Sequence, residues 1–461
     1  MKSIFVFASL AALSAACVSS GCSSSKDDDK DTGGTSSGAT SGTGGDSNAA
    51  GEPGSGATSS KGGDNGAAGD TAAGGDDTGS GGASSSTAIT SCTSGVLFAG
   101  DPLYNDKPEV AGPVPAGQGL LDDPPIRQEA MAVIGSHLFV ETETEIWTVD
   151  MSAAKPKLVR IAGQDDAKFV NAGVACKDTT FLVIRDMAAT PDGKLVVVDY
   201  VGGAVIEISD PGGPNCKSEW VAGTHVKTAD PGQDYPLAKG DVDGPGADAL
   251  FGGPEKDGAG IHKVAVDPDG NIYTWDEGTG KFKMIATDAD RTVSTIGVGA
   301  TDDNVMGLAF LNGKLYVTGV DGTNDFLKEV DPAKYDEAKP KANVVDIFRN
   351  RDQFAETEGG HQAVISQVYS DGEALLISSQ SGYVWRVAPD GTELAVLAGS
   401  GAFIDYEGDF DPLIEHPATE WQLVSKLSNP DGGPWLALDG KNMFWSGGLG
   451  IGLYTLQFSC K

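Results

Sequence analysis

Residues 240–299 read GDVDGPGADALFGGPEKDGAGIHKVAVDPDGNIYTWDEGTGKFKMIATDADRTVSTIGVG, and this stretch decides the fold. A Gly-, Asp- and Ala-rich loop leads into a short apolar strand, Ile261 to Val266. Asp267-Pro268-Asp269-Gly270 makes a tight turn, and a second strand runs from Asn271 to Trp275. Glu277-Gly278-Thr279-Gly280 turns the chain again. A third strand follows from Lys281 to Ile285 and a fourth from Thr292 to Val298. Alternating apolar and polar side chains, punctuated by Asp-Gly and Gly-Thr-Gly, mark antiparallel strands joined by hairpins. Strands of this kind form one small sheet that cannot cover both of its own faces, so copies of it must lie on either side.

The copies are present. Working outward, matching hairpins turn near Gly135, at Asp192-Gly193, at Asn312-Gly313, at Asp371-Gly372 and at Asp439-Gly440. With the opening stretch they make six turns and therefore six blades. No helical periodicity of useful length interrupts them. The expected fold is all-β: a six-bladed β-propeller with four-stranded blades, spanning 92–461.

The opening stretch resembles the NHL repeat, the unit of a family of β-propellers. Asp243-Gly244, Gly246, Ala249, Phe251 and Pro254 fit the loop of that repeat. Val264-Ala265-Val266-Asp267, Gly270-Asn271 and Tyr273 fit its strands. The hairpin at Asp276-Glu277-Gly278 is a partial fit, and the match is specific for this one blade.

Several blades end alike, at Ile161-Ala162-Gly163, Val221-Ala222-Gly223 and Leu397-Ala398-Gly399. The sixth has no room for such a strand before Lys461, but Val96-Leu97-Phe98-Ala99-Gly100 has the same form. This N-terminal strand is expected to complete blade six and close the ring, which removes exposed sheet edges. The cysteines agree. Cys92 precedes the closing strand and Cys460 follows its expected partner, so a disulfide between them would staple the ring. Cys176 and Cys216 are then left to pair by elimination, although they precede the first and fourth strands of blade two and so sit naively at opposite ends of it.

The N-terminus has a single charge at Lys2 and an apolar run from Ile4 to Ala16, the pattern of a leader rather than of a mature membrane span. LSAACVSSGC resembles a bacterial lipobox, which implies a signal peptide over 1–21 and a lipidated cysteine. Cys22, after Ser20-Gly21, is the favoured site; Cys17 is the alternative. Residues 22–91 are rich in Gly, Ser, Ala, Thr and Asp and carry no large apolar side chains but Ile89, so they are expected to be a disordered tether. A Gly/Ser coil of about 70 residues reaches roughly 45 Å, enough to hold a folded head off a membrane. The expected location is the cell envelope, lipid-anchored at the outer membrane.

The net charge is -34; the tether contributes -7 and Lys2 +1, which leaves the head at -28. Such a head is a poor partner for nucleic acid, whose phosphates call for Lys and Arg. Membrane contact is expected only through the lipid anchor, and the head is expected to be a monomer. Long insertions at 101–128, 164–180, 224–259, 349–362 and 401–433 all fall between an outer strand and the next inner strand, at one end of a propeller. Tyr235, Asp241, Asp243, Phe251, Tyr406, Asp409 and Trp421 lie in them and form the candidate binding face. The competing reading is that these aromatics only pin long loops to the propeller.

The leading expectation is therefore a binding module for an envelope protein or a glycan, with no cofactor. The alternative comes from the resemblance, since propellers of related type include a zinc-dependent amidating lyase and calcium-dependent lactonases. It implies a metal-dependent hydrolase or lyase with His262, His361 and His416 as zinc ligands, or calcium at Asp241-x-Asp243. No close-spaced histidine pair supports zinc, and Asp241-x-Asp243 lacks the remaining ligands of an EF-hand loop. Arg185-Asp186 and Lys263 lie in inner strands within reach of the tunnel mouth, where an interblade salt bridge is the simpler reading. No catalytic residue is assigned.

Overall fold

The computed structural model describes residues 88–100, 130–153, 158–164, 170–223, 240–252, 260–300, 303–321, 324–349, 365–379, 382–401, 415–421, 423, 435–440, 442–448 and 453–461. Residues 1–87, which hold the expected leader with Cys17 and most of the expected tether with Cys22, lie outside the described residues.

Six antiparallel sheets form the six blades. Blade one comprises Met131–Ile134, His137–Glu141, Glu145–Asp150 and Leu158–Gly163. Blade two comprises Ile184–Ala189, Leu195–Asp199, Ala204–Ser209 and Lys217–Ala222. Blade three comprises Ile261–Val266, Ile272–Asp276, Lys281–Ile285 and Val293–Val298, within one residue of the strands expected from the sequence. Blades four and five begin at Asp303–Leu311 and Ile365–Ser370 and end at Val344–Arg349 and Glu393–Ala398.

The hairpin turns follow from backbone chemistry. Gly135, Gly193, Gly270, Gly313, Gly372 and Gly440 all adopt positive φ, which glycine reaches without a Cβ penalty. The repeated Ala-Gly at the blade ends has a second cause. At Gly163, Gly223 and Gly399 φ is again positive, and a Cβ would sit about 2 Å from the carbonyl oxygens of Thr144, Gly203 and Gly382. Glycine is needed there because two backbones meet.

Burial follows radial position. The second strands of blades two, three and five are buried at every residue, because a blade lies against each face. The outer strands of blades one and five, Leu158–Gly163 and Glu393–Ala398, bury only their last residues. Each of the six seams between blades holds its own apolar cluster. Between blades two and three, for example, Val196, Val198 and Val205 pack on Ile261, Val264 and Ile272.

Blade six is assembled from both ends of the chain. Trp435–Asp439, Asn442–Gly448 and Leu453–Cys460 are followed in space by Cys92–Gly100. The closing strand pairs with Leu453–Cys460 from Cys92 opposite Cys460 to Gly100 opposite Tyr454. The Cys92–Cys460 disulfide joins residues 368 apart in sequence. One feature was not expected: a two-residue strand, His416–Pro417, pairs with Ser94 and Gly95 and makes this sheet five-stranded. It covers the outer edge of this sheet. The folded head also starts before residue 92. Ile89 is buried, and the Thr90 N–H donates to the Lys461 carbonyl.

Cys176 and Cys216 are bonded, and the end-to-end separation inferred from strand order does not arise. Residues 173–176 double back along the outer strand of blade two. Gly173 N–H donates to Ser218 O, Ser218 N–H to Val174 O and Cys176 N–H to Cys216 O.

Candidate functional site

The inner strands of all six blades enclose a central cavity of about 850 Å3. Most of its wall is apolar, with Ala132, Val133, Ala265, Leu308, Ala309 and Ala437 among the lining residues. The polar groups on the wall are few, and include Asp186, Gln367, Tyr369 and Asp371.

Three of these have a definite setting. Asp186 is buried and accepts the Val264 N–H of the next blade and its own neighbour's N–H at Met187, each at 3.0 Å. Burial pushes the Tyr369 phenol far above its usual range, and the Asp186 charge adds to this. Asp371 takes the Arg386 guanidinium at 3.0 Å and the Ala374 N–H at 2.7 Å. It also accepts the Ile89 N–H at 3.1 Å, so the segment entering the head is fastened at the hairpin end of the cavity.

At the other end, where the inner strands begin, the seam between blades two and three carries a cluster of titratable groups. The Arg185 guanidinium lies 5.2 Å from the centre of the Tyr200 ring, and that ring lies 5.7 Å from His262. The Tyr200 hydroxyl donates to Glu277 at 3.0 Å. Burial, together with the Lys263 and Arg185 charges, holds His262 well below its usual pKa, so it is neutral near pH 7. Two buried carboxylates fix this end. Asp199 accepts the N–H groups of Leu182 and Gly202 at 2.6 Å, and Asp276 accepts that of Gly252 at 3.0 Å. Burial outweighs those hydrogen bonds and raises both carboxyls to about 6.

The residues of the candidate face separate into three groups. Tyr235, Tyr406 and Asp409 lie outside the described residues, as does His361. Phe251 and Trp421 are each 1% exposed and pack into seams: Phe251 between blades two and three, Trp421 against Phe458 of blade six. They pin the chain to the ring. Asp241 and Asp243 converge on an internal cation: each lies 2.8 Å from the ammonium of Lys283, which is fully buried. Lys281 pairs with Asp241 as well. Burial opposes ionisation of both carboxyls, but these ammoniums hold both below the usual range. The pair read as calcium ligands thus clasps a lysine.

His416 lies on the outer edge of blade six, its ring 5.4 Å from Trp421. His262 lies on the inner strand of blade three, so the two are not brought together. Among the described residues, no group of three His, Cys, Asp or Glu side chains is placed to share an ion. Sequence reading noticed Asp186, Arg185 and Lys263 but not Gln367, Tyr369 or Asp371. The overlooked signal is positional: Asp186, Lys263 and Gln367 each stand two residues after a paired isoleucine, at the irregularity in their strands.

No protein-family model matches the chain, and no curated protein matches it. Solved structures do. One is virginiamycin B lyase from Staphylococcus aureus, at 9% identity over 72% of this chain and 96% of that one, TM-score 0.38. Another is a putative gluconolactonase, at 12% identity over 73% and 90%, TM-score 0.41. A third is the PQQ-bound aldose sugar dehydrogenase from Streptomyces coelicolor, at 13% identity over 72% and 95%, TM-score 0.37. At these identities the likeness is one of fold alone. The chain is a six-bladed β-propeller with lyase, lactonase-like and dehydrogenase propellers among its structural neighbours, and its chemistry has to be read from its own side chains.

Proposed function

We propose that the chain is a lipid-anchored envelope protein whose propeller is a binding module, with the central cavity as its ligand site. The observation that carries this is the cavity itself: six inner strands enclose about 850 Å3 with a mostly apolar wall and a few fixed polar groups. Small-molecule sites have this size and this composition. Two disulfides fit an exported protein. Among the described residues, no helix is long and apolar enough to cross a membrane. A macromolecular partner, an envelope protein or glycan, belongs in this reading to the end of the ring where the long insertions join the inner strands.

The test is a thermal-shift titration of the full-length chain with 1-hexanol as a neutral apolar probe. Ala189 is partly exposed on the cavity wall, so Ala189→Phe fills the space without disturbing a seam. The wild type is expected to be stabilised by the probe and the variant not. Equal stabilisation of both contradicts the reading. Palmitate labelling tests the anchor: Cys22→Ser is expected to lose the label and Cys17→Ser to keep it.

A further inference from the structure

Three lysines are buried in the described head: Lys263, Lys283 and Lys328. Two of them have carboxylates against the ammonium. Lys283 is clasped by Asp241 and Asp243, and Lys328 pairs with Asp303. Lys263 is 4% exposed and has neither an ion pair nor a side-chain hydrogen bond with a described residue. A buried ammonium without a counter-charge is costly, and proteins retain such groups where something else supplies the anion.

The position of Lys263 says where that anion sits. Lys263 is the first paired residue past the irregularity in its inner strand, opposite Trp275. Asp186 holds the same place in blade two, opposite Val198; in blade five Gln367 stands two residues after Ile365, as Lys263 stands two after Ile261, but lies inside the irregularity. Asp186 and Gln367 both line the central cavity, as do Val264 and Ala265, the two residues after Lys263. In blade four this place is taken by Gly307, which has no side chain to offer as a partner. The preceding residue, His262, has a buried Nδ1 with no hydrogen bond to a described residue.

We propose that Lys263 is the anchor for the carboxylate of a small organic acid whose apolar body occupies the central cavity. This rests on the cavity being the ligand site. One ammonium with the Gln367 amide matches a single negative charge, whereas a phosphate dianion calls for more donors than these residues supply. The wall beyond them, with Ala265, Leu308 and Ala309, suits a hydrocarbon chain or ring. Asp186 shares the ring position, and its carboxylate sets a limit: a ligand with a second anionic group is disfavoured.

The full-length chain would be titrated calorimetrically with hexanoate and with 1-hexanol, as the wild type and as Lys263→Met, Lys263→Arg and Ala189→Phe. Hexanoate is expected to bind the wild type and Lys263→Arg, and to bind Lys263→Met at least tenfold more weakly. 1-Hexanol is expected to bind the wild type and Lys263→Met alike. Ala189→Phe is expected to lose both probes. Without probe, Lys263→Met should melt no lower than the wild type, because an uncompensated charge has been removed. Equal hexanoate affinity in the wild type and Lys263→Met overturns the proposal, as does wild type that binds 1-hexanol but not hexanoate. A probe-free Lys263→Met that melts well below the wild type assigns Lys263 to a structural pair and also overturns it. Ala189→Phe that binds both probes undiminished instead removes the cavity as the site.

Discussion

Blade three and blade six have the same architecture and opposite origins. Blade three is one continuous run, Ile261 to Val298, in which every strand pairs with its sequence neighbour. Blade six joins Trp435–Cys460 to a strand that begins at Cys92. The two are secured differently. Blade three is tied by polar side chains to the loop that precedes it, through Lys283 to Asp241 and Asp243 and through Asp276 to Gly252. Blade six is tied by a covalent bond across the ring opening. Local hairpins bear little loop-closure entropy, whereas the closing strand must be brought back across nearly the whole head. The difference teaches that a propeller needs its strongest link at the one blade its own sequence cannot preassemble.

Three changes break or sharpen this contrast. The largest effect is expected for Cys92→Ser with Cys460→Ser, a loss of about 4 kcal/mol in denaturant unfolding. Hydrogen exchange should then rise in Leu453–Cys460 and stay unchanged in Ile261–Val266. Removing the Cys176–Cys216 bond spans a shorter loop, 40 residues, and should destabilise less.

The second change concerns Asp276, whose carboxyl is raised to about 6 in the folded head. Since its ordinary value is 3.8, the folded state holds this proton more tightly than the unfolded one. The stability it contributes is full below that ordinary value and is lost as pH rises from about 4 to about 6, by about 3 kcal/mol. Asp276→Asn removes the titration, so the variant should gain about 3 kcal/mol on the wild type over that window. The check is denaturant unfolding of both proteins across pH; a constant difference would place the carboxyl at its ordinary value.

The smallest effect is expected for Lys283→Met. It leaves Asp241 and Asp243 without their buried cation, but both are more than a third exposed and water screens the loss. A destabilisation of about 2 kcal/mol follows. Its sign is opposite to the one expected for Lys263→Met, although both replace a buried lysine with the same side chain. Thermal melts of the two variants side by side make that comparison.

Much of the ring was legible because hairpin chemistry is local. Gly270 and Gly313 had to turn, and the Ala-Gly endings marked outer strands that close backbone contact forbids to larger residues. Even the closing strand was readable, since Val96–Gly100 repeats the form of the other endings. The Cys176–Cys216 geometry was less so, because residues 173–176 run back along a strand edge and strand order does not encode that. The candidate face was least legible. Phe251 and Trp421 in long loops look alike in sequence whether they meet a ligand or a seam, and both meet a seam. The cavity was hidden for another reason. A register shift after Ile184 and Ile261 breaks the two-residue alternation where the inner strands begin, so counting residues does not show that Asp186 faces the axis.

The central claim is that a ligand occupies the axis of the closed ring. The most direct measurement is an NMR titration of the full-length chain with 1-hexanol, read at isotope-labelled methionine methyls. Met131 and Met187 line the cavity as well as packing in seams, whereas Met284 and Met443 pack in seams between blades and do not line it. The account predicts that the Met131 and Met187 signals shift and the other two stay. Shifts confined to Met284 and Met443, or none at saturating probe, would contradict it.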